Sequence, residues 1–103
     1  MKIRVTGENY TQEVLRSRIP VFVEFFASWC AKCAMMADLV DELAAEYDGQ
    51  VKVCQIDVEE SEELAAMFEI EIVPTFVKFR DGEPVAAASG VLDKWVLVKM
   101  IES

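Results

Sequence analysis

Hydrophobic positions along this chain change their period at marked punctuation points. The run Val21-Phe22-Val23-Glu24-Phe25-Phe26-Ala27, entered at Pro20, is apolar except for Glu24. It reads as a strand from Val21 to Ala27 that is covered on both faces, since apolar residues fall on both. From about Lys32 to Asp48, Met36, Leu39, Val40, Leu43, Ala44 and Tyr47 recur at helical spacing, and Gly49 marks the end of that helix. Val51 to Ile56 is rich in β-branched residues and predicts another strand. The acidic run from Asp57 to Glu63 leads into a helix with Ser61 as its N-cap and Leu64, Ala65, Met67 and Phe68 as its apolar face. Pro74 introduces a strand over Thr75 to Phe79, and Asp81-Gly82 predicts a hairpin into Pro84 to Ser89. A last helix is expected from about Asp93 to Ile101, turning Trp95, Val96 or Val98, and Met100 inward. At the other end, Lys2 to Val5 predicts a short strand. Asn9 or Thr11 is a candidate cap for a helix through about Arg16, with Gln12 three residues after Asn9 as in a capping box.

The element order is βαβαβα followed by ββα, without internal repeat or linker. Its first half favours parallel strands joined by right-handed crossovers, and the Asp-Gly hairpin adds antiparallel ones. The expected fold class is therefore α/β, a central mixed sheet flanked by helices on both faces. At 103 residues the chain is expected to form one domain, 1–103, with a core that needs no disulfide staple. Ten basic and 19 acidic residues leave a net charge of −9, which disfavours nucleic acid and anionic membrane surfaces as partners. No stretch is long enough to span a membrane, and polar residues follow Met1 to Val5 where a signal peptide would have its apolar core. The cytoplasm is the expected compartment, where a CxxC reads as catalytic or metal-binding.

That motif is Cys30-Ala31-Lys32-Cys33, placed where the central strand gives way to the long helix. Cysteines at i and i+3 on a first helical turn lie on one face, close enough to bridge. Cys30 would sit at the helix N-terminus, where free N–H groups and the macrodipole favour an anion. Thiolate is the nucleophile of disulfide exchange, so Cys30 is the expected attacking residue and Cys33 the resolving one. A helix terminus also argues against burial of the pair. The chain has no histidine, which removes Ser-His and Cys-His catalysis and His-ligated zinc, and Ala34 after Cys33 removes the haem-attachment pattern. Three cysteines cannot alone complete a four-thiolate zinc site, so no cofactor and no metal are expected. A metal or iron–sulfur centre shared by two chains is the competing reading. The third cysteine, Cys54, reads as core packing, with a redox-sensor role as the alternative. Glu59, Glu60, Glu62 and Glu63 read as a solvated helix start. Glu24, inside an apolar strand, is either buried with a raised pKa, or paired, or turned to solvent.

Phe25-Phe26-Ala27-Ser28-Trp29-Cys30-Ala31-Lys32-Cys33, Val73-Pro74-Thr75, Phe79-Arg80-Asp81-Gly82 and Gly90 before the last helix together resemble the thioredoxin family across nearly the whole chain. The resemblance implies a thiol–disulfide oxidoreductase that reduces protein disulfides, with an NADPH- or ferredoxin-linked reductase as electron donor and a monomeric state. It implies a buried acid at Glu24 that handles the proton of Cys33, although the family usually carries Asp there. It also implies a cis Val73-Pro74 bond facing the CxxC, where base rates alone would favour trans, with Val73 backbone groups pairing to an extended substrate. Trp29 is either core packing or the apolar lip of the substrate groove, with Gly90 leaving room opposite. Ala31-Lys32 replaces the family's usual Gly-Pro, and the Lys32 ammonium is expected within several ångströms of the Cys30 sulfur. It would favour the thiolate and make the pair more oxidising. Asp38 replaces a helix-kinking proline, so a straighter helix is expected. Gln55 stands where many relatives carry Lys, which would leave Glu24 without a charged neighbour. Ile72 replaces a small residue beside the groove. An oxidase or isomerase, and a binding module that keeps the fold but not the chemistry, are the other functions considered.

Overall fold

The computed structural model describes residues 2–103. Strand β2 (Val21–Phe26) is the middle of a five-stranded sheet ordered β1-β3-β2-β4-β5, with β1 Lys2–Arg4, β3 Lys52–Asp57, β4 Thr75–Arg80 and β5 Glu83–Ser89. β1, β3 and β2 run parallel; β4 is antiparallel to β2 and β5 to β4. Helices α1 (Ala31–Glu46), α2 (Glu62–Met67) and α3 (Lys94–Glu102) complete the mixed α/β architecture. The turn Asp81-Gly82 has φ of 54° and 79°, the doubly left-handed geometry that joins strands with their natural twist.

Alternation along β2 divides the core. Val21, Val23 and Phe25 pack with Cys54, Ile56, Val77, Phe79 and Leu64 on the α2 side. Phe22, with Val53 and Phe76, packs under Met36, Val40 and Leu43 of α1 and under Leu97, Met100 and Ile101 of α3. Covering both faces of one strand is what makes its sequence a nearly unbroken apolar run. Glu24 belongs to the α1 side by the same alternation and is only 1% exposed.

Several local expectations are corrected. Neither Asn9 nor Thr11 caps a helix: Asn9 Oδ1 accepts from the Thr6 N–H and its amide donates to the Arg4 carbonyl. The segment after it is a single π-helical turn, Thr11–Leu15, without a side-chain cap, so the Gln12 capping box does not form. Ser61 does precede α2, yet its hydroxyl is buried without a partner. The N–H groups of Glu59 and Glu60 are instead held by Asp57 Oδ1, the acid one turn earlier. In α3 Trp95 is 65% exposed; the inward stripe is Leu97, Met100 and Ile101. Two residues of helix turn a side chain by about 200°, which sends Trp95 outward once Leu97 is in the core. α1 runs through Asp38 without interruption. One buried cation went unread in the strand pattern: Lys78, whose ammonium reaches the carbonyls of Ile101 and Ser103 at 2.9 and 2.5 Å.

Candidate active site

The sheet's switch from β2 to α1 positions the cysteines. Cys30 is the N-cap of α1 in extended conformation, and its backbone N–H donates to Ala27 O at 3.3 Å. Its sulfur accepts the N–H of Cys33 over 3.1 Å, the place an N-cap oxygen would take. The same sulfur lies 3.6 Å from the Val73 carbonyl, to which a Cys30 thiol donates. Both cysteines are free thiols and each is 7% exposed, packed with Ala27 against Phe26, Val58 and Val73. This corrects the expectation that a helix terminus keeps the pair unburied. The loop carrying Val73 closes over the first turn, so the dipole of α1 acts on sulfurs that are largely out of water.

Burial is decisive for Cys33. Loss of solvent, then the hydrogen bond with Cys30, pushes its thiol up to about 12, so it stays protonated at neutral pH. Cys54 is also pushed up to about 12, by burial, in the core on the other face of the sheet. That is the packing role, not the sensor.

Glu24 stands behind Cys33. A cleft of about 210 Å³ is lined by Glu24, Cys30, Cys33, Ala34, Ala37 and Gln55 among others, and so connects carboxyl and thiol. Gln55 donates to Glu24 Oε1 at 2.9 Å, while Oε2 is buried without a partner. Burial raises the Glu24 pKa; the Gln55 hydrogen bond and the charge of Lys2 oppose the rise, and Asp41 adds to it. The solvent-facing alternative for Glu24 is thus excluded. Its hydrogen-bond partner is the uncharged Gln55.

The other predicted residues surround the sulfur. The Val73-Pro74 bond is cis, and Val73 is partly buried beside the cysteines. Gly90 donates its N–H to Pro74 O at 2.8 Å with φ of 98°, and a Cβ there would meet open space. Trp29 is 68% exposed, so it is not core packing. Ile72 and Val91 are also exposed. Ala31 and Lys32 are exposed on the first turn of α1. Arg4 was missed: it pairs with Asp57 and Glu60 and lies 5.1 Å from the Phe26 ring centroid, backing the wall against which the cysteines pack. The alternation Lys2-Ile3-Arg4-Val5 is the signal that puts Lys2 and Arg4 on one face.

A dithiol at a helix N-terminus, roofed by a cis-proline loop on an α/β sheet, defines a thiol–disulfide exchange site. The family model for thioredoxin matches residues 1–103, and the chain belongs to that family. It is 40% identical over 98 residues to thioredoxin 1 of Synechococcus elongatus, covering 95% of this chain and 92% of that one. Identity to a thioredoxin of Pseudomonas aeruginosa is 33% over 101 residues, 98% and 94% of the two chains. Identity to the chloroplastic thioredoxin M3 of Oryza sativa is 40% over 98 residues, 95% of this chain and 56% of the longer rice protein. The protein is a thiol–disulfide oxidoreductase, a protein-disulfide reductase by class. Among the described residues no helix is long and apolar enough to cross a membrane.

Proposed function

We propose that Cys30 attacks and Cys33 resolves in the reduction of protein disulfides. The observation that carries the assignment is the asymmetry of the pair: Cys30 sulfur accepts the Cys33 N–H at the helix terminus, while burial holds Cys33 as a thiol. The Cys30 thiolate attacks one sulfur of the substrate disulfide, forming a mixed disulfide and expelling the other sulfur as a thiolate, which takes up a proton. Cys33 then loses its proton to Glu24 through the shared cleft and attacks Cys30 Sγ. That step forms the Cys30–Cys33 bond and releases the second substrate thiolate, which is protonated in turn. Two electrons pass from enzyme to substrate; with Cys30 entering as thiolate, the enzyme gives up one proton, that of Cys33 by way of Glu24, and solvent supplies the other. The cleft and the raised carboxyl pKa support Glu24 as the proton acceptor.

Trp29, Val73, Pro74 and Gly90 form the substrate-binding surface in this reading. Exposed Trp29 offers an apolar lip, and Val73, next to the sulfur, offers its backbone to an extended chain. Ala31 and Lys32 tune the potential, with the Lys32 cation favouring the Cys30 thiolate. The 103-residue unit acts as a single domain and a monomer in the cytoplasm, within electron transport that maintains cell redox balance. A thioredoxin-reductase-type donor returns it to the dithiol, and it uses neither nucleic acid nor membrane. Its closed dithiol chemistry calls for no cofactor.

Cys33→Ser tests the assignment. The variant should accumulate a mixed disulfide on Cys30, which peptide mapping after capture identifies together with its partners. In that variant, an adduct on Cys54 instead of Cys30, or no adduct at all, would overturn it. Reduction of insulin disulfides should exceed refolding of a scrambled substrate; the reverse ranking would make the protein an isomerase.

A further inference from the structure

A second and larger cleft, of about 710 Å³, is lined by acids from two distant parts of the chain. One wall is the loop after β1, Thr6-Gly7-Glu8; the other is the run Glu59 to Leu64, which leads from β3 into α2. Glu8, Glu59, Glu60, Glu62 and Glu63 are all exposed there. Glu60 pairs with Arg4, and among the described residues the other four have no ion-pair partner. The dipole of α2 accounts for Glu62 and Glu63 in its first turn. It does not account for Glu8, which the β1 loop brings to the opposite wall, where like charge opposes folding. A second feature of the cleft is Ser61, between the two pairs of acids. It lines the cleft, is only 7% exposed, and its hydroxyl has no hydrogen-bond partner. A buried hydroxyl in that state costs free energy that an entering donor would relieve.

Two contacts join this cleft to the dithiol. Val58, next to Glu59, packs against the cluster of Ala27, Cys30 and Cys33, and its N–H donates to Phe26 O at 2.9 Å. Arg4, held by Glu60 and Asp57, lies over the Phe26 ring, and Phe26 lines the cleft that contains both sulfurs. A polypeptide whose disulfide sits at Cys30 therefore has flanking residues within reach of the acids. Among the described residues no three acids converge as the ligands of a metal ion do. Carboxylates spread along two walls suit several positive charges carried on one chain. Lysine and arginine side chains supply them, together with donors for charge-assisted hydrogen bonds.

We propose that this cleft is a specificity subsite of the exchange reaction, which receives a lysine- or arginine-bearing segment of the protein substrate. The proposal rests on Cys30 as the attacking sulfur and adds the class of substrate that reaches it fastest. Glu8, Glu59, Glu62 and Glu63 act on encounter and on the lifetime of the complex, and the bond exchange stays with the cysteines. A surface of one sign raises the association rate of partners of the other sign and suppresses that of like-charged ones.

The test uses three synthetic peptides that share one disulfide loop and carry flanks of lysine, glutamate or glutamine. Their second-order rate constants of reduction are measured in single turnover with the pre-reduced full-length protein. At low ionic strength the lysine peptide should react about tenfold or more faster than the glutamate peptide, and high salt should narrow the gap. Combining Glu8→Gln, Glu59→Gln and Glu63→Gln should cut that ratio by about threefold or more. Combining Asp48→Asn, Asp81→Asn and Glu83→Gln, three exposed acids outside the cleft, changes net charge equally and should leave the ratio as it is in wild type. Equal rates for the lysine and glutamate peptides would overturn the proposal. So would an equal fall of the ratio in the two triple variants, since net charge and not the cleft would then select. Cys30→Ser tests the underlying reading separately: reduction of the glutamine peptide by that variant would remove Cys30 as the attacking sulfur, whatever the ratio shows.

Discussion

The backbone N–H of Cys33 donates to the sulfur of Cys30 over 3.1 Å, so one cysteine of the pair stabilises charge on the other. A thiolate accepts that bond better than a thiol does, and the unpaired N–H groups of the first turn add to the effect. For Cys33, burial and then the hydrogen bond with Cys30 outweigh the one backbone hydrogen bond, with Ala27, that favours its thiolate, and its thiol is pushed up to about 12. Brief iodoacetamide treatment of the reduced protein at pH 7 should therefore alkylate Cys30 alone. Mass mapping should find Cys33 and Cys54 modified only after unfolding. Labelling of Cys33 ahead of Cys30 would contradict the asymmetry.

Glu24 should cost stability as pH rises. Its folded pKa is above the unfolded value, chiefly through burial. The native state then binds more protons than the unfolded one between the two values, so stability falls as pH climbs through that window. Glu24→Gln keeps an acceptor for Gln55 and removes the titration. In urea unfolding, the variant should gain on wild type as pH goes from about 4 to 8. It should also slow reduction by about 10- to 100-fold or more if proton transfer from Cys33 limits the rate. A stability difference that is constant with pH would show that the carboxyl does not titrate differently in the fold.

The Lys32 charge should be visible in the redox equilibrium. The side chain is exposed on the first turn of α1, so its effect on the Cys30 thiolate is screened and modest. Equilibration with glutathione should place wild type less negative than Lys32→Pro by about 20 mV. Lys32→Gln, which removes only the charge, should move the same way. A wild-type potential equal to or more negative than both would discard the electrostatic explanation.

Gly82→Ala should weaken the β4–β5 hairpin. Gly82 has φ of 79°, and a Cβ there would approach Leu15 O to 3.2 Å. The left-handed cost for an L-residue is about 1–2 kcal/mol. A drop of that size in unfolding free energy is expected, with insulin reduction by the remaining folded protein unchanged, because the turn lies at the end of β4 away from Thr75 and Pro74.

Legibility in the sequence followed the range of each interaction. Strands and helices were read from spacings of a few residues, and their ends moved by one or two positions, as hydrogen-bonded termini do. The Asp81-Gly82 turn was legible for the same reason, since two residues carry all of its geometry. Trp95 was misread because two neighbouring apolar stripes on a short helix differ only in which one meets the sheet. Asn9 was misread because its amide serves Thr6 and Arg4 in a loop that a capping pattern does not describe. The cis bond before Pro74 came from family resemblance, not from the residues themselves.

By itself the sequence determined the α/β order and the pairing of Cys30 with Cys33 on one helical turn, with Cys30 at the helix N-terminus. These rest on local geometry: a helix N-terminus exposes its N–H groups whatever surrounds it. Tertiary structure alone decided that both sulfurs are nearly buried, that Gln55 binds Glu24 across 31 positions of chain, and that Lys2 of β1 reaches Asp41 of α1. The physical reason is that solvation and charge depend on everything within several ångströms, and folding brings those neighbours from strands and helices far apart in the chain.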